Sequence, residues 1–139
     1  MITIDFFRCE QGQIDSCSWD DAFERFPSTG ISVPDQSALS SLSEALTGDA
    51  SYPVKCLPMA VGPIYELSSD LVVAIRRSDA ESMKDAGVRW AQLKPWNEFE
   101  INPMDLAGFL LELRTLVDSH GGPHSSIFVW MEPNDQRGP

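Results

Sequence analysis

The residues best suited to chemistry are the two histidines, His120 and His124, which lie four positions apart in the stretch SHGGPHSSIFVWM. Imidazoles bind zinc or act as general bases near neutral pH. The two side chains would share a face only on a continuous helix, which Gly121 and Pro123 interrupt. A zinc site also needs further ligands, and no spacing in the chain supplies them. We therefore predict no metal ion and no cofactor, and favour a helix end at His120, where a cation stabilises the dipole.

The chain has three cysteines, Cys9, Cys17 and Cys56, and none of them forms a C-x-x-C pair. An odd number leaves at least one thiol free in a protein that acts alone, which suits a reducing compartment. Cys56 lies between prolines and apolar residues, a setting typical of a buried and inert thiol. In the alternative, Cys56 joins His120 and His124 as a candidate for a catalytic or ligand-binding pocket.

Acidic residues dominate the charge of the chain. There are 21 Asp and Glu against 10 Lys and Arg, a net charge of −11. The first 50 residues hold nine of these acids and two bases, so their charge is 2 − 9 = −7. This excess repels nucleic acid and anionic membranes, so we predict that the chain binds neither. It favours a basic protein partner, whose approach such a field accelerates.

The candidate partner-binding residues are seven of the nine acids of the first 50 residues together with Trp96, which follows a proline and could anchor an interface. The acids are Asp15, Asp20, Asp21, Glu24, Asp35, Glu44 and Asp49. Some of them have a local explanation as well, because acids in the first turn of a helix stabilise its dipole. Trp96 and Trp130 are alternative contacts of a homo-oligomer, and the sequence leaves the oligomeric state open.

The segment RRSDAESMKDAGVRWAQLKPW mixes bases with Trp90 and Trp96, a pattern that can bind single-stranded nucleic acid. Its bases alternate with acids, however, and Trp90 falls on an apolar helical stripe. We therefore interpret the segment as a solvated helix face over a buried tryptophan.

Apolar residues at helical spacing predict five helices, each with a start signal. The predicted caps are Ser18, Asp35, a serine before Asp70, Ser78 with Glu81 as a capping box, and Asn102. Gly48 and Gly121 are predicted to end the second and the last helix. The last helix carries the widest apolar stripe, with Leu110 and Leu113 at its centre. We expect it to run through the centre of the fold.

Strands are expected at both ends of the chain. Residues 2–7 alternate between apolar and polar, and residues 125–131 are apolar on both faces, so we predict that the two strands pair. An edge strand is predicted around residues 55–61. The result is an α+β fold, a small and mainly antiparallel sheet packed by about five helices in a single domain of residues 1–132, followed by a frayed tail of residues 133–139. The alternative is a mostly α-helical domain with one hairpin.

The chain has no G-x-x-x-x-G-K-[ST], G-x-G-x-x-G, H-E-x-x-H or G-x-S-x-G motif. Its N-terminus has no signal peptide, and no apolar run approaches the ~20 residues that span a bilayer, so we expect a cytoplasmic protein. In size, acidity and α+β pattern it resembles small bacterial immunity and inhibitor proteins. We therefore predict an acidic protein-binding module that complexes a basic partner, and leave as the alternative a small enzyme or ligand-binding domain with a pocket near His120 and His124.

Overall fold

The chain forms five strands and four α-helices in a computed structural model that describes residues 2–10, 24, 26–51, 53–56, 64–118 and 125–133. The strands are β1 (Ile2–Glu10), β2 (Ser28–Val33), β3 (Val54–Cys56), β4 (Ile64–Leu67) and β5 (Ser125–Pro133). The helices are α1 (Ser37–Thr47), α2 (Ser69–Arg77), α3 (Ala80–Ala91) and α4 (Pro103–Asp118), with a 3-10 helix at Trp96–Glu98 between the last two.

The strands form one antiparallel sheet in the order β2-β1-β5-β4-β3. Strands β1 and β5 lie at its centre and pair from Ile2 with Pro133 to Glu10 with Ser125. The predicted pairing of the first and last strands is therefore confirmed, and so is the α+β class. The alternative of a helical domain with one hairpin is wrong, because five strands join in a single sheet.

The sheet buries apolar side chains on both faces. Ile4 and Phe6 of β1 share one face with Val129 and Met131 of β5, and all four belong to the main hydrophobic core together with the helices. The alternate residues Phe7, Cys9 and Phe128 lie on the opposite face and are also buried. Because both faces of the sheet are covered, a central strand such as β5 is expected to carry apolar side chains on both faces.

Helix α4 supplies the centre of the core, as its apolar stripe predicts. Leu110, Leu113 and Val117 are fully buried. Helix α3 lies against it so closely that a Cβ atom added at Gly87 would come within 2.7 Å of the Ala107 backbone. Only a glycine permits this approach of two helix backbones.

Two of the predicted caps are corrected. Asp79, not Ser78, is the N-cap of α3, and its carboxylate accepts from the Ser82 N–H at 2.7 Å. Asp35 lies one residue outside the N-cap Gln36 of α1 and accepts from the Ser37 N–H at 2.8 Å. In both cases an aspartate carboxylate satisfies a backbone N–H at the start of the helix.

Three other helix signals agree with the structure, whereas Ser18 and Gly121 lie outside the described residues. Ser68 caps α2 and accepts from the Leu71 N–H at 3.2 Å. Asn102 accepts from the Met104 N–H at 3.0 Å at the start of α4. Gly48 ends α1 in the left-handed conformation, at φ 83°.

The described residues hold four α-helices and one 3-10 helix rather than about five helices. The helix predicted after Ser18 falls mostly outside the described residues. The predicted edge strand begins at Val54, and β3 ends at Cys56, beyond which residues 57–63 are not described. Strands β2 and β4 were not predicted. The predicted tail beyond Pro133 also lies outside the described residues.

Candidate functional site

The histidine site proposed from the sequence cannot be placed on this fold, because His120 and His124 lie outside the described residues. Cys56 ends β3, and its side chain is likewise not described. Within the part of the chain that the structure describes, no three His, Cys, Asp or Glu side chains come together as metal ligands. No described helix is long and apolar enough to cross a membrane.

Four of the seven predicted partner-binding acids are described, and all four are exposed. They are Glu24, Asp35, Glu44 and Asp49. Asp35 and Asp49 flank α1, and Glu44 lies within it. Asp15, Asp20 and Asp21 lie outside the described residues. We call the described group Asp35, Glu44 and Asp49 the α1 acids.

Two of the α1 acids also stabilise local backbone. Asp35 Oδ1 accepts from the backbone N–H and the hydroxyl of Ser37. Asp49 Oδ1 accepts from the N–H of Ser51 at 3.1 Å and from its hydroxyl at 2.8 Å. In each case the bonds use one carboxylate oxygen, so the charge stays at the surface and the second oxygen faces no described donor.

Trp96 does not have the exposure that an interface anchor needs. Its side chain is only 4% exposed and packs edge-on against Trp90, with ring centroids 5.6 Å apart. The expectation of an exposed tryptophan is therefore wrong, because the turn after Pro95 directs Trp96 into the core. The large apolar side chains exposed nearby are instead Phe99, at 56%, and Met104, at 59%.

The two tryptophans differ in how their indole N–H groups are satisfied. Trp90 Nε1 donates to the Ala38 carbonyl at 3.1 Å and to the Ser41 hydroxyl at 3.0 Å. Trp96 Nε1 is buried without a hydrogen-bond partner. A buried unpartnered donor costs stability, and Arg8 Nε and Trp130 Nε1 are in the same situation.

Three arginines hold the carboxyl ends of three helices. Arg89 donates to the Ala45 carbonyl of α1 at 2.8 Å, Arg114 to the Ser78 carbonyl that follows α2, and Arg8 to the Val117 carbonyl of α4. Cations at helix carboxyl ends satisfy orphan carbonyls and favour the dipole. These arginines therefore have a structural function.

The position of Arg8 also affects its ionisation. Burial lowers the pKa of the Arg8 guanidinium below its ordinary value, the charge of Arg76 lowers it further, and Asp118 raises it. Since arginine remains charged in proteins, Arg8 and Arg76 place two positive charges where α2 and α4 end, beside the carboxylate of Asp118.

Several concave surfaces interrupt the described fold. A cavity of about 480 Å³ lies beside α2 and is lined by Leu67, Ser68, Val73 and Arg76, among others. Two further cavities, of about 510 and 460 Å³, lie between β2 and α4 and share Glu112. We call this pair the β2–α4 groove.

The β2–α4 groove combines apolar and acidic groups. Its first cavity is lined by Ile31, Trp96, Met104 and Phe109. Asp105 and Glu112 are the charged residues that line the two cavities. Side chains of this kind can bind a partner segment, and the described lining of the groove includes no histidine or cysteine that would suit nucleophilic or acid–base catalysis.

The groove was not predicted from the sequence, because the strand β2 that forms one of its sides was not predicted. The segment STGISV alternates, with Thr29, Ile31 and Val33 on the core face and small residues on the other. Prolines at positions 27 and 34 bound it. That period of two between turn residues is a strand signal, although a short one.

Comparison with protein-family models, with curated proteins and with solved structures finds no match to this chain.

Proposed function

We propose that this chain is an acidic cytoplasmic protein-binding module of the immunity or inhibitor type, which complexes a basic partner protein. The observation that supports the proposal is the different placement of the basic and the acidic side chains. Arg8, Arg89 and Arg114 neutralise helix ends within the fold, whereas the α1 acids project their charge to solvent.

The mechanism is electrostatic steering followed by occlusion of the partner's functional site. A net charge of −11 on 139 residues produces a field that attracts a basic protein before contact. Complementary charge raises association rates more than it raises final affinity. Exposed charges are screened over about 8–10 Å at ordinary salt, so the rate should depend strongly on ionic strength.

A first experiment captures partners from the native lysate on the tagged chain, with washes at low and high salt and mass spectrometry of the eluate. The informative comparison is between two triple variants with the same net charge. One variant is Asp35→Asn, Glu44→Gln and Asp49→Asn, and the control is Asp70→Asn, Glu81→Gln and Asp85→Asn. All six side chains are exposed, so both variants should fold.

The proposal predicts a stoichiometric basic protein that elutes with salt, is lost in the α1-acid variant and is retained by the control. Retention by both variants would show that net charge alone, or another surface, holds the partner. Capture that resists high salt and ignores both triple substitutions would contradict an electrostatic module.

A further inference from the structure

Among the described strands, β2 lies at an edge of the sheet, and its register shows which of its backbone groups have no partner in a described strand. The Arg8 N–H donates to the Pro27 carbonyl at 3.1 Å, so this pair is hydrogen-bonded. Hydrogen-bonded pairs alternate along an antiparallel ladder. Thr29, Ile31 and Val33 therefore turn their N–H and C=O groups toward β1, and the residues between them turn theirs outward.

The outward residues are Ser28, Gly30 and Ser32, all exposed. Their side chains are small, so nothing on the strand itself shields the edge. Exposed edges are usually blunted by a charge, a proline or a bulge within the strand, and the segment STGISV has no charge or proline. At the opposite edge, β3 is only three residues long and follows Pro53. The open edge at β2 is thus the better template for an added strand.

The β2–α4 groove lies alongside this edge and would receive the side chains of such a strand. The Thr29 hydroxyl donates to the Glu112 carboxylate at 3.0 Å, which joins β2 to α4 between the two cavities. Trp96, with its buried unpartnered indole N–H, lines the first cavity. Main-chain pairing beside pockets for alternate side chains is how edge strands recognise extended peptides.

Charge identifies the partner that suits the groove. Asp105 and Glu112 line it, and its lining includes no lysine or arginine among the residues that the structure describes. Arg8, which pairs with Pro27 at the end of the groove, donates to the Val117 carbonyl and so already has a function in the fold. A second copy of this chain carries the same net charge of −11, so like-charge repulsion opposes its approach. A basic segment is favoured instead.

We propose that β2 is the docking edge for an extended, basic segment of the partner, which adds to the sheet as a sixth strand beside α4. Every second side chain of the segment is a lysine or arginine that enters the β2–α4 groove, where its aliphatic stem meets Ile31 and Met104 and its charge meets Asp105 and Glu112. The proposal rests on the proposed function, because it names the conformation and site by which the basic partner binds.

The test uses the full chain and two acetylated, amidated peptides, one of four Lys-Val repeats and one of four Glu-Val repeats. Ser32→Pro removes an outward N–H and places a ring on the edge without breaking the ladder to β1, a position where strands tolerate proline. Ser32→Ala is the matched control, since it loses the same hydroxyl, which lies 3.5 Å from Thr3 Oγ1, but keeps the N–H. Thermal melts check that both variants fold.

We expect the Lys-Val peptide to bind the wild type and Ser32→Ala equally, and Ser32→Pro about tenfold more weakly or worse. Amide NMR signals of Ser28, Gly30 and Ser32 should shift when the peptide is added to the wild type. The Glu-Val peptide should not bind. Equal binding of the Lys-Val peptide to Ser32→Pro, or no binding to the wild type, would overturn the docking edge.

The outcomes separate this proposal from the proposed function. Salt-sensitive binding of the Lys-Val peptide that ignores Ser32→Pro refutes the docking edge alone and leaves the acidic module supported. Equal binding of both peptides refutes the basic partner. A wild type that is dimeric in light scattering, with Ser32→Pro monomeric, would assign the edge to a second copy and overturn the proposal.

Discussion

The same substitution, glycine to alanine, should have opposite effects at two positions on neighbouring helices. Gly87 lies on the face of α3 that packs on α4, and a Cβ atom there would lie 2.7 Å from both the N and Cα atoms of Ala107. These are backbone atoms, so the helices themselves would have to separate. Gly108 lies on α4, and a Cβ atom there would meet nothing within 4 Å.

The magnitudes follow from two opposing effects. Alanine gains about 1 kcal/mol over glycine in a helix interior. Overpacking costs about 1–3 kcal/mol, and the backbone contacts place Gly87→Ala near the upper limit. The net expectation is a loss of about 2 kcal/mol for Gly87→Ala, or about 7 °C in Tm for a chain of this length. Gly108→Ala should gain up to about 1 kcal/mol, or about 3 °C.

The assay is chemical denaturation with a thermal melt of each variant, read by circular dichroism. Gly108→Ala is the control for helix propensity, since it makes the same chemical change without the contact. The reasoning is refuted if Gly87→Ala stabilises the protein as much as Gly108→Ala does, because the two helices would then not approach as closely as the structure shows.

Three further outcomes follow from single residues. Leu113→Ala, at a fully buried position, should lower the free energy of unfolding by about 2–5 kcal/mol in a urea titration, and a change below 1 kcal/mol would show that α4 is not central. Ser68→Ala should cost about 1 kcal/mol through the lost cap of α2, and Ser68→Asp should restore most of it. The Ser82 N–H lowers the pKa of Asp79, so the stability from this cap is present above the ordinary pKa near 4 and is lost as the pH falls through the folded value. The Tm gap between wild type and Asp79→Ala should therefore narrow in acid, and a gap that widens would contradict this sign.

The helices and the central strands could be predicted because each has a local pattern. The apolar stripe through Leu110 and Leu113 predicts a buried helix, and the alternation of apolar and polar residues from Ile2 to Phe6 predicts a half-buried strand. Strand β2 has six residues but only two large apolar ones, Ile31 and Val33, and β4 has only four residues, so the alternating pattern of each is weak. They depend on pairing with β1 and β5, which is not a local property.

The candidate site could be predicted only in part. The exposure of charged side chains such as Glu44 could be predicted, because charged residues are rarely buried. The β2–α4 groove depends on contacts such as that between Thr29 and Glu112, which are 83 positions apart. The burial of Trp96 depends on its packing against Trp90, although Pro95 before it had suggested an exposed turn.

The most direct test of an acidic module that steers a basic partner is the association rate constant of the captured partner, measured by stopped flow from about 50 mM to about 500 mM salt. The account predicts a fall of at least about tenfold in that rate over the range, with a much smaller change in the dissociation rate. An association rate that does not change with salt would contradict it.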